Sequence, residues 1–446
     1  MSRTSTISNP DWWERIGLFG CFLFASFAYL GTAPATAGII LFSLAFVGRV
    51  ADWGRLGRDR LVVLCVIYAG YLLIHSAIFY LTAPSPALAS EIARSGWDWA
   101  KLLLFIPFGY WAAGREQRVL WLLFMALIGF TLNIFRNIDW ATFDAAFFST
   151  RFGANLPANA FGMFTGIGIL GLAATRERFW GTGRRGARRW LSLLLWVLLF
   201  IILAEGLVLS FSRGSWLAFA VASVLLIAAE WRAAARRKRG PNKTSGVGTA
   251  ALFTLVLGAL VGLNVGSIKD RLAADSGTMK QIEQGQLSAI PPDSAGLRLH
   301  VWRFALDKWE ERPWFGWGAG SSYYLIEHSE RPELRDGQFW LDHLHDTYLE
   351  ALVQFGAVGF VLLTLVVWLL VLDSAKECRR GFMAADLCRL FAAAFVFVLV
   401  WNIFEYRVVR HDWTFFWLLF AGAAYSFRLR LPLEGARADQ GSGAAP

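Results

Sequence analysis

Two histidines stand directly before a long apolar run in the last quarter of the chain. His343 and His345 belong to LDHLHDTYLEALVQFGAVGF, which spans residues 341–360. A neutral imidazole accepts a proton near pH 7, so either histidine is a candidate general base. Metal binding is the alternative, but an i, i+2 pair suits one helical face poorly, and no CxxC spacing occurs. We therefore expect a proton-accepting histidine, His345 or His343, and no bound metal.

Three arginines are candidates for binding an anionic group. Arg213 lies in LSFSRGSWLAF, at the start of an apolar run where a charge is costly. Arg298 lies one helical turn before Trp302, and Arg151 lies in the turn-rich stretch STRFGANLPANAF. A guanidinium group presents a planar donor fork that suits phosphate. The alternatives are snorkelling to the interface for Arg213 and a solvated helix face for Arg298.

The elements that position these residues are predicted to be membrane-spanning helices. The 446-residue chain is 56% hydrophobic and 17% charged, and it contains 22 Trp and 37 Phe. Apolar runs of spanning length recur, whereas the alternation of a membrane barrel is absent. We predict an all-α integral membrane protein with about twelve transmembrane helices. The predicted spans are 16–31, 34–49, 61–81, 97–113, 118–134, 157–174, 190–205, 209–229, 249–266, 347–372, 390–404 and 412–427.

Basic residues predict the orientation of these spans. With a cytoplasmic N-terminus, most of the 43 Lys and Arg residues fall on the cytoplasmic side, as the positive-inside rule requires. The basic run 232–243 is then a cytoplasmic loop rather than a nucleic-acid site. The first apolar run is predicted to be an uncleaved span rather than a signal peptide. Both termini are expected in the cytoplasm, and the candidate site residues on the other side.

One segment outside the membrane, residues 267–346, is too long for a simple connection. Within it, 297–313 has the apolar spacing of an amphipathic helix that ends at Pro313, and this helix could lie on the membrane surface. A glycine-rich turn follows at 315–322. The predicted organisation is helices one to nine in 1–266, a large, partly helical loop in 267–346, helices ten to twelve in 347–427, and a disordered cytoplasmic tail in 428–446.

Several classes of function are disfavoured. Neither GxxxxGK[ST] nor a GxGxxG after a strand occurs, so we expect no nucleotide. The spans lack a ladder of acids, which disfavours a proton pump. Cys21 and Cys65 fall within spans, and Cys378 and Cys388 fall in a predicted cytoplasmic loop, so no disulfide framework is expected in the outer segments. Several arginines with one base indicate a doubly charged, lipid-linked donor and a hydroxyl acceptor, without a cofactor.

Three patches of sequence resemble the superfamily of O-antigen ligases, O-antigen polymerases and related bacterial oligosaccharide transferases. They are SFSRGSW (210–216), Arg298-x-x-x-Trp302 with ALDKWEERPWFGWGAG (305–320), and His345-Asp346-x-Tyr348 with Gly356 and Gly359. The resemblance covers about residues 155–360. This chain has Asp346 where relatives commonly have Asn, and RFGANLPANAF lacks the Asn-Pro-Asn that relatives often show. The match assigns the family's histidine to His345 and leaves His343 unmatched.

The resemblance implies a metal-independent, inverting glycosyltransferase of the bacterial inner membrane, with a periplasmic active site. The implied donor is a glycan on undecaprenyl diphosphate, and the implied acceptor of a ligase is lipid A-core. Membrane lipids surround the protein, and no nucleic acid or nucleotide takes part. A polymerase, which transfers the glycan to a second lipid-linked repeat, is the alternative within the superfamily. A lipid-linked oligosaccharide transporter is the alternative from another class, although its charges are expected at midplane depth.

The same resemblance implies roles for individual residues. His345 is expected to take the proton of the acceptor hydroxyl. Arg213 and Arg298, with Arg151, are expected to bind the diphosphate and to stabilise its charge as it leaves. Trp302, Asp346 and Tyr348 are weaker candidates for substrate contact. Asp346 either orients His345 or caps the helix that begins at Thr347.

Overall fold

The computed structural model describes residues 12–144, 147–148, 150–180, 186–236, 294–334 and 341–442, with isolated positions between 258 and 284. These residues form helices and no strand, as the sequence predicts. The described α-helices are α1 (Trp12–Phe27), α2 (Thr32–Val47), α3 (Val50–Leu56), α4 (Arg60–Leu81), α5 (Pro86–Lys101), α6 (Phe105–Ala112), α7 (Glu116–Arg136), α8 (Ala158–Ala174), α9 (Arg176–Trp180), α10 (Ala187–Leu209), α11 (Arg213–Arg236), α12 (Ser294–Glu311), α13 (Ser321–Glu327), α14 (Thr347–Arg379), α15 (Ala385–Trp401) and α16 (His411–Ser442).

Five helices among the described residues are long and apolar enough to cross a membrane: α4, α7, α10, α11 and α14. A sixth span results if α2 and α3, which meet at an angle of 85°, count as one broken element. Large apolar side chains, such as Leu73 and Ile74 of α4, are exposed as lipid contact requires. The protein is therefore a multi-pass membrane protein. The predicted number of twelve spans is not confirmed.

The predicted spans nevertheless fall on helices wherever the structure describes them, and 249–266 lies almost entirely outside the described residues. The span predicted at 97–113 is wrong as a single helix. There, α5 begins at Pro86, where the Ser85 side chain accepts a hydrogen bond from the Leu88 nitrogen. A short 3₁₀ turn, Leu102–Leu104, then separates α5 from α6. The sequence prediction missed the early start because α5 carries charged residues in its first three turns.

Helix α14 is interrupted at Gly356, whose φ of +63° is left-handed. The interruption frees carbonyl groups that a continuous helix would pair within itself. The carbonyls of Val353 and Gln354 accept hydrogen bonds from the nitrogens of Trp317 and Gly318, each at 2.9 Å. A Cβ at position 356 would lie 2.3 Å from the backbone of Trp314, so only glycine allows this approach. The glycine-rich turn before α13 is thus bonded to the break in α14.

The amphipathic helix predicted at 297–313 is observed as α12, shifted by two or three residues. Its predicted apolar face is buried, with Val301, Phe304 and Ala305 each at most 2% exposed. That face does not lie on a membrane surface. It packs in an apolar cluster that is separate from the main core of the helices and includes Leu325 of α13 and Leu344. This cluster supports the loop that carries His345.

The end of the bundle opposite His345 holds the α14–α15 turn. Cys378 and Cys388 form a disulfide bond across this turn, and Cys21 and Cys65 are free and buried. The sequence places the bonded pair in a cytoplasmic loop and predicts no disulfide framework in the outer segments. The last helix, α16, continues to Ser442, into the stretch for which the sequence predicts a disordered tail. Leu, Arg, Glu and Ala, which all favour helix, supply much of that stretch.

Candidate active site

The loop that carries His345 is held by the first turn of α14. Asp346 is the N-cap of this helix, and its side chain accepts hydrogen bonds from the nitrogens of Tyr348 and Leu349 at 2.7 and 2.9 Å. The capping role, one of two alternatives predicted for Asp346, is therefore the one observed. His345 itself has a φ of +54°. A non-glycine residue in this left-handed region is strained and needs support from its neighbours.

Glu350, in the first turn of α14, holds the loop that precedes this helix. This carboxylate is fully buried and accepts a hydrogen bond from the Leu344 nitrogen at 2.7 Å. It also accepts from the hydroxyl of Ser322 at 2.5 Å and from the amide of Gln354 at 2.6 Å. The Gln354 oxygen in turn accepts from the nitrogen of Gly320 at 3.0 Å. The loop before α14, the start of α13 and the glycine-rich turn thus share one buried polar network.

His343 contacts His345 directly. The two rings lie 4.1 Å apart, measured between their centroids. The backbone nitrogen of His345 donates a hydrogen bond to Nδ1 of His343 at 3.0 Å. Nε2 of His343 faces two carboxylates, Asp342 at 3.5 Å and Glu405 at 3.6 Å. The sequence left His343 without a role, and the structure places it beside the predicted base.

Both histidines are neutral at physiological pH. Burial lowers the pKa of His345 to about 3, helped by the nearby His343 and Arg298. Burial likewise lowers the pKa of His343 to about 3, helped by Arg410, Arg407 and Arg298. A neutral imidazole has a lone pair to accept a proton. An anion that offsets the arginine charges would raise both pKa values and make His345 a stronger base.

Glu405 connects these histidines to one of the predicted arginines. The side chain of Asn159 donates a hydrogen bond to Glu405 at 2.5 Å, and its oxygen accepts one from Arg151 at 2.8 Å. Burial raises the pKa of Glu405, an effect that Asn159 and Arg407 oppose. The side chains of Arg151, Asn159, Glu405, His343 and His345 therefore form a continuous series of contacts.

The turn that contains Arg213 packs against the same region. The nitrogen of Phe152 donates to the carbonyl of Leu209 at 2.9 Å, and Nε of Arg151 donates to the carbonyl of Ser210 at 3.1 Å. The Ser215 hydroxyl donates to the carbonyl of Asn159 at 3.1 Å. Arg213 begins α11 at this turn and is partly buried. The two predicted patches around Arg151 and Arg213 are thus joined by hydrogen bonds.

Arg298 approaches the histidines from α12. Its positive charge is close enough to lower the pKa of His343, His345 and Glu405. Trp302, one turn later, is half-buried, and its indole nitrogen has no hydrogen-bond partner among the described residues. The hydroxyl of Tyr348 donates to the carbonyl of Leu399 at 2.7 Å, so it ties α14 to α15. Substrate contact by Trp302 and Tyr348 remains a prediction.

Sequence reasoning missed Asn159, Glu405, Arg407 and Arg410 as members of this site. Asn159 stands in the turn-rich patch, and Glu405 stands near the end of a predicted span, so both were visible. Nothing in the sequence pairs them, because they are 246 positions apart. Arg407 and Arg410 form ion pairs with Asp412 and Asp342, at 2.9 and 2.7 Å, and both lie close enough to lower the pKa of His343.

A metal ion is the other occupant that this arrangement could accept. One ligand atom from each of His343, His345 and Glu405 lies within 4.8 Å of the other two. Two features of the described residues oppose a cation. Nδ1 of His343 is already an acceptor for the backbone, and Arg298 lies close by. The absence of a metal therefore stays a prediction with electrostatic support.

The fold and the site together define a multi-pass membrane protein with a buried, arginine-flanked histidine at one end of its helices. Comparison with known proteins names the class: residues 198–364 match the family described as O-antigen ligase. This confirms the resemblance predicted from the sequence. The matched range contains Arg213, Arg298 and His345, whereas Arg151, Asn159 and Glu405 lie outside it.

A curated relative agrees with the family match. It is a protein of Rickettsia conorii described as a "Putative polysaccharide ligase", and it is 26% identical over 146 residues. The alignment covers 31% of this chain and 33% of the relative. The chain thus matches about a third of the relative's length. The two comparisons support an enzyme of the polysaccharide ligase and polymerase type.

Proposed function

We propose that this protein is an O-antigen ligase-type glycosyltransferase. It transfers a glycan from undecaprenyl diphosphate to a hydroxyl of lipid A-core, on the periplasmic face of the bacterial inner membrane. The observation that carries the proposal is the neutral His345, held in a strained loop beside Arg298 within the range that matches the family. A base next to cations suits a reaction that deprotonates an alcohol and releases a diphosphate.

The proposed reaction is a single displacement. The acceptor oxygen bonds to the anomeric carbon while the bond from that carbon to the diphosphate oxygen breaks, so the anomeric centre inverts. The proton of the acceptor hydroxyl passes to His345. The electron pair of the broken bond leaves with the diphosphate, whose charge Arg213 and Arg298, with Arg151, stabilise. Neither a metal ion nor a nucleotide takes part in this mechanism.

In this mechanism the charge of the bound donor controls the pKa of the base. In the free protein, burial and Arg298 keep the pKa of His345 at about 3, which makes it a weak base. The bound diphosphate brings negative charge to the arginines and raises that pKa. His345 therefore becomes a competent base only when the donor is bound, so that deprotonation of the acceptor is coupled to the presence of the glycan.

The decisive experiment is transfer by the purified protein. Wild type, His345→Ala and Arg213→Ala are incubated with lipid-linked glycan and lipid A-core, without nucleotide or added metal. We expect transfer by wild type and a loss of at least about 100-fold in both variants. Normal transfer by folded His345→Ala would overturn the role of the base. Product only on a second lipid-linked repeat would identify a polymerase, and movement of donor across vesicles without transfer would identify a transporter.

A further inference from the structure

His343 holds the backbone of His345 in place. The His345 nitrogen donates to Nδ1 of His343 at 3.0 Å, and His345 has the left-handed φ of +54°. Such a conformation costs about 1–3 kcal/mol and persists only where the surroundings impose it. Side chains accept hydrogen bonds from two consecutive backbone nitrogens here, because Glu350 accepts from Leu344 and His343 accepts from His345. Losing the second of these hydrogen bonds would free His345 to leave its position.

This hydrogen bond also sets the protonation state of His343. Because Nδ1 accepts a hydrogen bond, a neutral His343 carries its proton on Nε2. Nε2 faces Oε1 of Glu405 at 3.6 Å and Oδ1 of Asp342 at 3.5 Å. Two carboxylates thus favour the tautomer that leaves Nδ1 available. Adding a second proton at Nδ1 would break the bond to His345.

Glu405 is itself immobilised. It is 5% exposed, and Asn159 donates to its Oε2 at 2.5 Å. The nitrogen of Tyr406 donates to its Oε1 at 3.3 Å, and the carbonyl of Glu405 accepts from the hydroxyl of Thr347 at 2.7 Å. The last contact joins Glu405 to the start of α14, next to His345. The carboxylate therefore has a defined position relative to both histidines.

We propose that His343 and Glu405 form a positioning pair for His345. His343 orients the base through its backbone nitrogen, and Glu405 keeps His343 in the required tautomer and compensates the positive charge that His345 gains. This inference rests on the proposed function, in which His345 accepts the proton. The other charged groups that face the pair are Asp342, Arg298, Arg407 and Arg410. Asp342 also acts on His345, but it is partly exposed and forms an ion pair with Arg410 at 2.7 Å, whereas Glu405 is buried.

Substitutions of His343 distinguish a role of its Nδ1 acceptor in positioning His345 from a role of its size in packing. The oxygen of Asn reaches roughly the place of Nδ1, whereas the amide of Gln reaches roughly the place of Nε2. For His343→Ala we expect kcat to fall about 100-fold, with the donor KM changed less than about threefold, because the base is displaced and the anion site is not. His343→Asn should recover at least about tenfold of this loss, and His343→Gln should not.

Substitution of Glu405 tests the second half of the pair. Glu405→Gln removes one negative charge near His345 while keeping the size of the side chain. We expect a lower kcat and an acid limb of the pH–kcat profile at lower pH than in wild type, because the imidazolium form is less stabilised. His328→Ala is the control, since His328 is exposed just after α13 and its Nδ1 bonds to the carbonyl of Tyr324 one turn earlier.

The outcomes distinguish this inference from the proposed function. Full activity of His343→Ala, with His345→Ala inactive, would overturn the positioning pair and leave the proposed function standing. Equal recovery by Asn and Gln would overturn the hydrogen bond from His345 as the cause. Activity that a chelator abolishes and Zn²⁺ restores in wild type would mean that the three residues bind a metal instead. Thermal unfolding of each variant in detergent provides the check that the fold is retained.

Discussion

The carboxylate of Glu350 accepts a hydrogen bond from the backbone nitrogen of Leu344, 2.7 Å away, although the residue is completely buried. This contact ties the residue before His345 to the first turn of α14. The same carboxylate accepts hydrogen bonds from the side chains of Ser322 and Gln354. One side chain therefore joins the loop before α14, the start of α13 and α14 itself. A buried carboxyl group is tolerable here because each of its oxygens is hydrogen-bonded.

Replacement of Glu350 should therefore disturb both stability and activity. Glu350→Ala leaves the Leu344 nitrogen and the Ser322 hydroxyl without this acceptor, at about 1–3 kcal/mol for each unsatisfied group. We expect a lower unfolding temperature in detergent and at least about tenfold slower transfer. Glu350→Gln, which can still accept from Leu344, should lose less of both. Equal effects of the two variants would argue against the Leu344 contact.

Gly356 should tolerate no side chain. Gly356→Ala places a Cβ 2.3 Å from the backbone of Trp314 in a left-handed conformation, so the segment 313–318 must move away. We expect a loss of about 1–3 kcal/mol in stability and a fall in transfer rate. Gly70→Ala is the matched control, because a Cβ at this helical position in α4 meets nothing within 4 Å. A variant at position 356 that is as stable as the control would contradict the close approach.

The pH dependence of transfer should differ between the free protein and the donor complex. The pKa of His345 is about 3 in the free protein, so kcat/KM should not fall near pH 6.5 as the medium is acidified. Bound diphosphate raises this pKa, so the acid limb of kcat should lie at higher pH than that of kcat/KM. Initial rates at several donor concentrations between pH 4 and pH 8 provide the measurement. Coincident limbs would show that the donor's charge does not act on the base.

The free energy of unfolding should decrease on acidification, because burial lowers the pKa of His343 and His345 in the folded protein. In the folded protein both histidines have a pKa of about 3, below the value of 6.5 expected in an unfolded chain. As the pH falls from about 6.5 towards 3, the unfolded state takes up protons that the folded state does not, which favours unfolding. The stabilisation is complete above about pH 6.5. His343→Asn removes one of these groups and should make the unfolding temperature less dependent on pH in this range.

The effect of replacing Asn159 should depend on whether the new side chain carries a negative charge. Its amide donates to Glu405 at 2.5 Å. Asn159→Asp brings a second carboxylate against Glu405, which either repels it or raises its pKa so that it becomes protonated. We expect Asn159→Asp to reduce transfer more than Asn159→Ala, despite the smaller change in size. The reverse order would show that the size of Asn159, and not its donated hydrogen bond, is what matters.

The helical class of the fold and most of its helices could be predicted from the sequence because they depend on local signals, and the roles of Arg213, Arg298 and His345 stay predictions. Apolar runs placed the spans, and the apolar spacing of α12 identified the face that packs under the site. The break at Gly356 had a visible glycine but no visible partner, since its fit depends on Trp314 some forty positions earlier. Glu91 and Arg94 interrupt the apolar pattern in the first three turns of α5 and hid a helix that begins at Pro86.

The neighbours of His345 were harder to predict, because they come from distant parts of the chain. Glu405 and Asn159 meet His343 only after α8, α14 and the α15–α16 connection have packed together. The family match assigned the base to His345 and left His343 without a counterpart, and the i, i+2 spacing does not place the two rings on one helical face. In this loop the backbone turns at the left-handed His345, and the two rings come together.

The break in α14 also constrains the lengths of two segments that lie far apart in the sequence. Backbone hydrogen bonds join residues 313–318 to residues 353–358 in both directions. The nitrogens of Ala357 and Val358 donate to the carbonyls of Pro313 and Trp314, and the nitrogens of Trp317 and Gly318 donate to the carbonyls of Val353 and Gln354. A one-residue insertion or deletion in either segment would shift every one of these pairs and turn the glycine away from its only fitting position. The lengths of the two segments are therefore coupled, because a change in one alone would break its hydrogen bonds to the other.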